Sequence, residues 1–227
     1  MSRPFPCLAF LALCACGGAD VPLTTPPPAT GFDGQLARGT RLAESLGDLS
    51  PTRFTAMPTT GTATFTGVAS LFIDPVEATD ADDIVVLGDM TATADFALGT
   101  LRGQVDNLNG ATAFTSNGYG EIPVGGRLQI GARDSVVGND ADDNRTSRPN
   151  DFYADYRGQI TLADGTYAVD GTIDGQFIGT RTADGVMPIR GLAGFGEGVA
   201  IRGTEGTADF VEYGADLEIV GRTPARP

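Results

Sequence analysis

Few side chains in this sequence have the type and spacing for chemistry. Asp140, Asp142 and Asn144 stand at alternate positions, and Asp151 lies where the closing ligand of a helix-flanked calcium loop would fall. Arg145 occupies the place where such a loop needs glycine, so the stretch reads first as a solvated hairpin tip, like Asp80-Ala81-Asp82-Asp83, and second as a loose calcium site. Tyr153, Tyr156 and Tyr167 carry phenol oxygens of the kind that ligate ferric haem. At their spacing they read first as strand residues. The chain has no histidine, and its 15 basic residues are all arginines. It therefore lacks the commonest general base, the commonest metal ligand and any lysine base; arginine, always charged, is a poor substitute. The reading is a non-enzyme with no catalytic residues and no resident cofactor.

Charge narrows the partners. A net charge of -14 and a pI near 4.2 repel phosphate backbones and anionic membrane surfaces, so nucleic acid is not expected. The 227 residues are 41% hydrophobic, enough for one sizeable core and, after export processing, one domain. With 32 glycines, no tryptophan and no long helical run, an all-β fold is favoured.

The elements that must position these residues follow from alternation. Gly165 to Gly179, GTYAVDGTIDGQFIG, places Tyr167 and Val169, then Ile173 and Phe177, on one face. Asp-Gly steps at 164, 170, 174 and 184 supply turn chemistry. They are too close together all to be turns, so some belong inside strands as bulges or close backbone contacts. Further strands read at Thr62 to Phe72, Ile84 to Phe96, around Leu101 to Asp106, Arg127 to Ala132, Phe152 to Leu162, Met187 to Ala193 and Thr207 to Val220. Leu108 to Gly125 and Asp134 to Asn150 read as loops, expected at one end of the domain and suited to binding. About eight antiparallel strands predict an up-and-down β-barrel, with a two-sheet sandwich as the other solution. Ahead of them, Leu36, Leu42, Leu46 and Leu49 predict a short helix or irregular segment packed across the end of the domain.

The N-terminus carries Arg3 followed by an apolar stretch too short to span a bilayer. Leu13-Cys14-Ala15-Cys16-Gly17-Gly18 resembles a bacterial lipoprotein signal, with Cys16 as the lipidated residue because small Ala15 precedes it. Residues 1–15 would be the signal peptide and 16–32 the acylated (palmitate-bearing) cysteine with a Pro/Gly-rich tether. Residues 33–57 would form a cap segment and 58–222 the barrel. Cys7, Cys14 and Cys16 are the only cysteines, so the exported domain is expected to hold together without disulfides.

PTTGTATFTGVAS (Pro58 to Ser70), GDMTATADFALGTLRGQVDN (Gly88 to Asn107) and GTIDGQFIGTRTADG (Gly171 to Gly185) resemble the β-barrel domain of the transferrin-binding protein B family of Gram-negative surface lipoproteins, which includes single-barrel, factor H-binding-protein-like relatives. Gly175-Gln176-Phe177-Ile178-Gly179 matches the family's Gly-x-Phe-x-Gly segment. Thr180 replaces the usual proline, and Ala183-Asp184-Gly185 approximates the family's Ala-x-Glu and glycine run. The resemblance implies a barrel held at the outer membrane by lipid alone; the reading is a monomeric module that captures a macromolecular partner or an iron or haem source at the cell surface through barrel-end loops. A periplasm-facing assembly lipoprotein and a lumenal carrier of a small apolar ligand are the alternatives.

Overall fold

The computed structural model describes residues 31–75, 83–115, 118–138, 146, 148–179 and 189–224. Expectations attached to residues 1–30, including Cys16 and the tether, and to Asp140, Asp142 and Asn144 lie outside the described residues. The elements run α1 (Gly31–Gly47), β1 (Ser50–Pro51), β2 (Thr62–Asp74), β3 (Ile84–Asp95), β4 (Thr100–Thr115), β5 (Gly118–Pro123), β6 (Gly125–Val137), β7 (Asp151–Leu162), β8 (Gly165–Gly179), β9 (Ile189–Arg202) and β10 (Val211–Arg222).

Eight of these strands form a closed antiparallel ring in the order β2-β3-β4-β6-β7-β8-β9-β10, with β10 returning to β2. The barrel expected from the strand count is the fold, and the sandwich is not. β1 pairs with the last residues of β8, and β5 pairs with the extension of β4. The β3–β4 turn defines a lower end and the β7–β8 turn an upper end. Several boundaries move outward from the sequence reading. Most of Leu108 to Gly125 is strand, because β4 stays paired with β3 through Thr112 and from Asn109 on pairs with β5 at its other edge. β6 runs on to Val137 past a register shift between Ile130 and Ser135. β9 is longer than expected, whereas β10 starts later than expected, at Val211, and runs on to Arg222.

The interior is filled. Phe65, Leu71, Met90, Leu101, Leu128, Ile160, Ile173 and Leu217 are among its fully buried side chains. At the lower end, the Phe177 ring meets Phe65, Phe96 and Phe152 at centroid distances of 5.5–5.8 Å. Met57 packs against the same core. At the upper end, Tyr167 stacks on Tyr213 at 5.9 Å.

Asp184-Gly185 lies outside the described residues, and the other three Asp-Gly steps resolve into two roles. Asp164 sits in the β7–β8 turn, whereas Gly171 and Gly175 lie within β8. Cross-strand register sets Tyr156 of β7 against Gly171 and Gly171 against Gly198 of β9; likewise Phe152 faces Gly175, which faces Gly194. Each ring lies over the two glycines beside it. A Cβ on Gly171 would stand 2.5 Å from Tyr156 Cζ, and one on Gly194 would stand 2.9 Å from Phe152 Cζ. Glycine is needed there for space, since any side chain would displace a ring from the core.

Helix α1 lies against the outer wall and does not cross the barrel end. Phe32, Leu42 and Leu46 bury against Val68, Val85, Leu87 and Val220, which form a cluster separate from the interior. Each such burial stabilises by about 1.5–3 kcal/mol, against a cost of roughly 1 kcal/mol for a helical glycine such as Gly39. The segment after the helix does reach the end: Thr52 donates its N–H to Phe177 O, and Met57 covers the core.

The ring-over-glycine packing predicts unequal costs for identical substitutions. Gly171→Val should lower stability by about 1–3 kcal/mol or more. Gly214→Val, whose Cβ would meet nothing within 4 Å, should be nearly neutral. Urea unfolding of both variants measures the difference.

Candidate functional site

The three tyrosines do not converge. Tyr156 and Tyr167 point into the barrel, and Tyr153 lies on the opposite face of β7. The Tyr156 hydroxyl donates to Ala215 O at 2.5 Å, and burial pushes its pKa up, so it stays a neutral phenol. The Tyr167 hydroxyl donates to Asp164 Oδ2 at 2.6 Å; burial first and then this hydrogen bond raise its pKa. Arg202 stands 5.3 Å from the Tyr167 ring centroid and bonds the same carboxylate at 2.5 Å. These groups close the upper end of the core. Neither phenol is an accessible phenolate on a face shared with Tyr153, which is what joint haem ligation would require.

Asp151 accepts a hydrogen bond from Gln176 Nε2 at 3.0 Å across the β7–β8 ladder. Among the described residues, no group of three or more His, Cys, Asp or Glu is arranged to hold a metal ion. The described parts of segments 108–125 and 134–150, expected together at one end, lie at opposite ends. β4 rises away from the β3–β4 turn, whereas Val137 returns to it by donating to Gly99 O at 2.8 Å.

Much of the polar chemistry on the outside holds elements in place. Where Leu87 pairs with Asn109 but Asp89 pairs with Asp106, β4 carries an extra residue, and Asn107 takes the left-handed backbone (φ 52°) that asparagine tolerates. Asn107 donates Nδ2 to Asp89 Oδ2 at 2.9 Å and accepts from Gln35 Nε2 at 2.8 Å. Arg38 of α1 pairs with Asp89, and Asn109 Nδ2 donates to Gln35 Oε1 at 3.0 Å. Thus α1 is keyed to the β4 bulge by groups that would be costly to bury alone. The Tyr119 hydroxyl on β5 bonds Asp33, which pushes its pKa up to about 12, and its ring meets Phe32 edge-on at 5.0 Å. The β4–β5 hairpin, read from sequence as a binding loop, therefore clasps the start of α1.

The outer wall of β8, β9 and β10 differs from this. Register places Asp174, Phe195 and Glu218 side by side across the three strands. Phe195 is 47% exposed in the middle of the sheet face. On the next row stand Thr172 and Glu197, with Asp216 against Phe72 of β2; beyond them Val199 faces Gly214, and Gly214 faces Asp74. Arg133 of β6 reaches only the margin, bonding Asp170 at 2.5 Å while its backbone N–H donates to buried Asp155 at 3.0 Å. Burial raises the pKa of Asp174, Asp216 and Glu218; Asp151 adds to the first, and Glu197 and Asp74 add to the second. The sequence reading missed this wall. Its signal was Glu212, Asp216 and Glu218 alternating with apolar Tyr213, Ala215, Leu217 and Ile219.

No protein-family model and no curated protein matches the chain. Among the described residues, no helix is long and apolar enough to cross a membrane.

The raised carboxyl pKa values have a stability consequence. These groups hold protons in the folded state at a pH where the unfolded chain has released them, so their contribution favours folding in mild acid. It is lost as the pH rises through their folded values. The pair Asp216→Asn with Glu218→Gln should therefore raise the thermal midpoint at neutral pH and leave it nearly unchanged near pH 4. Calorimetry at the two pH values checks the sign.

Proposed function

We propose that this protein is a non-catalytic, lipid-anchored binding module of the outer membrane that captures a macromolecular partner at the cell surface. The observation that carries this reading is the filled interior, sealed by Phe96, Phe177 and Met57 below and by Tyr167 and Tyr213 above. A barrel packed in this way supplies rigidity and leaves recognition to its exterior. That favours partner capture over carriage of an apolar ligand in the lumen. The engagement of Tyr156 and Tyr167 in the core favours a macromolecule over haem.

The lipoprotein-like residues around Cys16 support the anchor, and the closed eight-strand ring is the architecture that a transferrin-binding-protein-B-like relationship calls for. With no histidine or lysine in the chain, a binding role fits its side-chain inventory better than a catalytic one.

Protease shaving of intact cells tests the reading, with an epitope placed after Val220 and a periplasmic protein followed as control. Loss of the epitope while the control survives is the expected result. Protection until the outer membrane is opened would overturn surface capture and favour a periplasm-facing assembly lipoprotein. Cys16→Ala should release the domain from the membrane fraction in the same cells.

A further inference from the structure

The outer sheet face of β8, β9 and β10 has the features of a docking surface; α1 lies over β2, β3, β4 and the Val220 end of β10 and touches this face only at its lower end, where Leu46 sits on Gly191 and Ile178 packs against the helix cluster. Three independent properties meet there. The first is an aromatic ring, Phe195, exposed at the centre of a sheet face and flanked on both neighbouring strands by the carboxylates of Asp174 and Glu218. The second is a dent. Gly214 points its missing side chain outward into open space, between Val199 on β9 and Asp74 on β2. The third is sign: Asp174, Glu197, Asp216 and Glu218 surround the ring, Asp74 stands beside Gly214, and no hydrogen bond or ion pair ties any of the first four to an arginine among the described residues.

We infer that this face binds a cationic protein segment, one that carries arginine beside apolar residues and lays a guanidinium against Phe195 and a side chain into the dent at Gly214. The inference rests on the reading of the protein as a binding module and names the chemistry of its partner. The ring offers a cation–π surface, and the flanking carboxylates accept the N–H groups of the same guanidinium. Val199 and Phe72 supply apolar contact around it. A second copy of this chain would bring carboxylates against carboxylates, and an anionic lipid surface would be repelled in the same way. Partial burial of Asp216 and Glu218 on this face, which pushes their pKa values up, fits a face completed by an incoming cation.

The test uses the full chain in detergent and, as probe, a short fluorescein-labelled peptide alternating arginine with leucine, read by fluorescence anisotropy at several salt concentrations. The same peptide with glutamate in place of arginine is the comparison. The arginine peptide should bind in a salt-sensitive manner and the glutamate peptide should not. Gly214→Val, which fills the dent without changing charge, should weaken binding about tenfold, as should Phe195→Ser. Removal of two charges from the β9–β10 turn, Glu205→Gln with Asp209→Asn, should leave binding intact. Unchanged thermal midpoints show that the variants fold.

Binding insensitive to Gly214→Val and Phe195→Ser, or weakened as much by the turn variant, would overturn the inference in favour of diffuse acidity. Dimerisation abolished by Gly214→Val would overturn it in favour of a second copy, and flotation of a variant lacking the acyl chains, Cys16→Ala, with phosphatidylglycerol vesicles would overturn it in favour of a membrane. The assay is independent of which side of the membrane the domain faces, so its failure and a failed shaving experiment are distinguishable.

Discussion

The seam formed by β7, β8 and β9 depends on two aromatic rings lying over paired glycines. An eight-strand ring has room inside for a limited set of side chains, and large residues on one strand require small ones on its neighbours. Phe152 takes its space from Gly175 and Gly194, and Tyr156 takes its space from Gly171 and Gly198. The Tyr156 hydroxyl then reaches across the interior to the backbone of β10 at Ala215. Sealing of the lower end depends on the same packing, because Phe177, two residues beyond Gly175, can then meet Phe65, Phe96 and Phe152 together. With the lumen filled, a partner of the proposed kind would meet only the exterior.

That exterior is divided between support and display. On β2, β3, β4 and β10 the wall is covered by α1, whose polar residues Gln35 and Arg38 are matched to Asp89 and to the bulge at Asn107. On β8, β9 and β10 the wall is open, acidic and centred on an exposed ring. The division is visible in the burial of the strands. Val85, Val86 and Leu87 are buried in succession because β3 has the core on one side and α1 on the other. β8 instead alternates buried with exposed residues along its middle, as a strand with one wet face must.

How much of this was legible in the sequence varied with the range of the interaction that decides it. The alternation of Tyr167, Val169, Ile173 and Phe177 is local and announced β8 directly. The roles of the Asp-Gly steps were not local, since Gly171 and Gly175 are fixed by rings on β7 and by glycines on β9. Asn109 and Gly110 read as the start of a loop because their composition favours turns. Strand pairing with β3 overrides that preference; the Asn109 side chain bonds Gln35 of α1, and the Asn107 side chain bonds Asp89, which pairs with Arg38 of the helix. The leucines of α1 predicted a helix, but its place on the wall depended on Val68, Val85 and Val220 from three separate strands. Likewise the carboxylates of β10 were readable one by one, whereas their meeting with Phe195 and Asp174 exists only in the register of three strands.

Native-state hydrogen exchange across the β8–β9 seam tests the central claim of a closed and filled barrel most directly. The amides of Ala168 to Ile178 that pair with β9 should exchange only through global unfolding, with the same opening free energy as the β2–β3 amides. Exchange of the β8–β9 amides through a separate, lower-energy opening would contradict the account. It would describe a curled sheet with a loose seam, in which the interior as well as the exterior is available to a ligand.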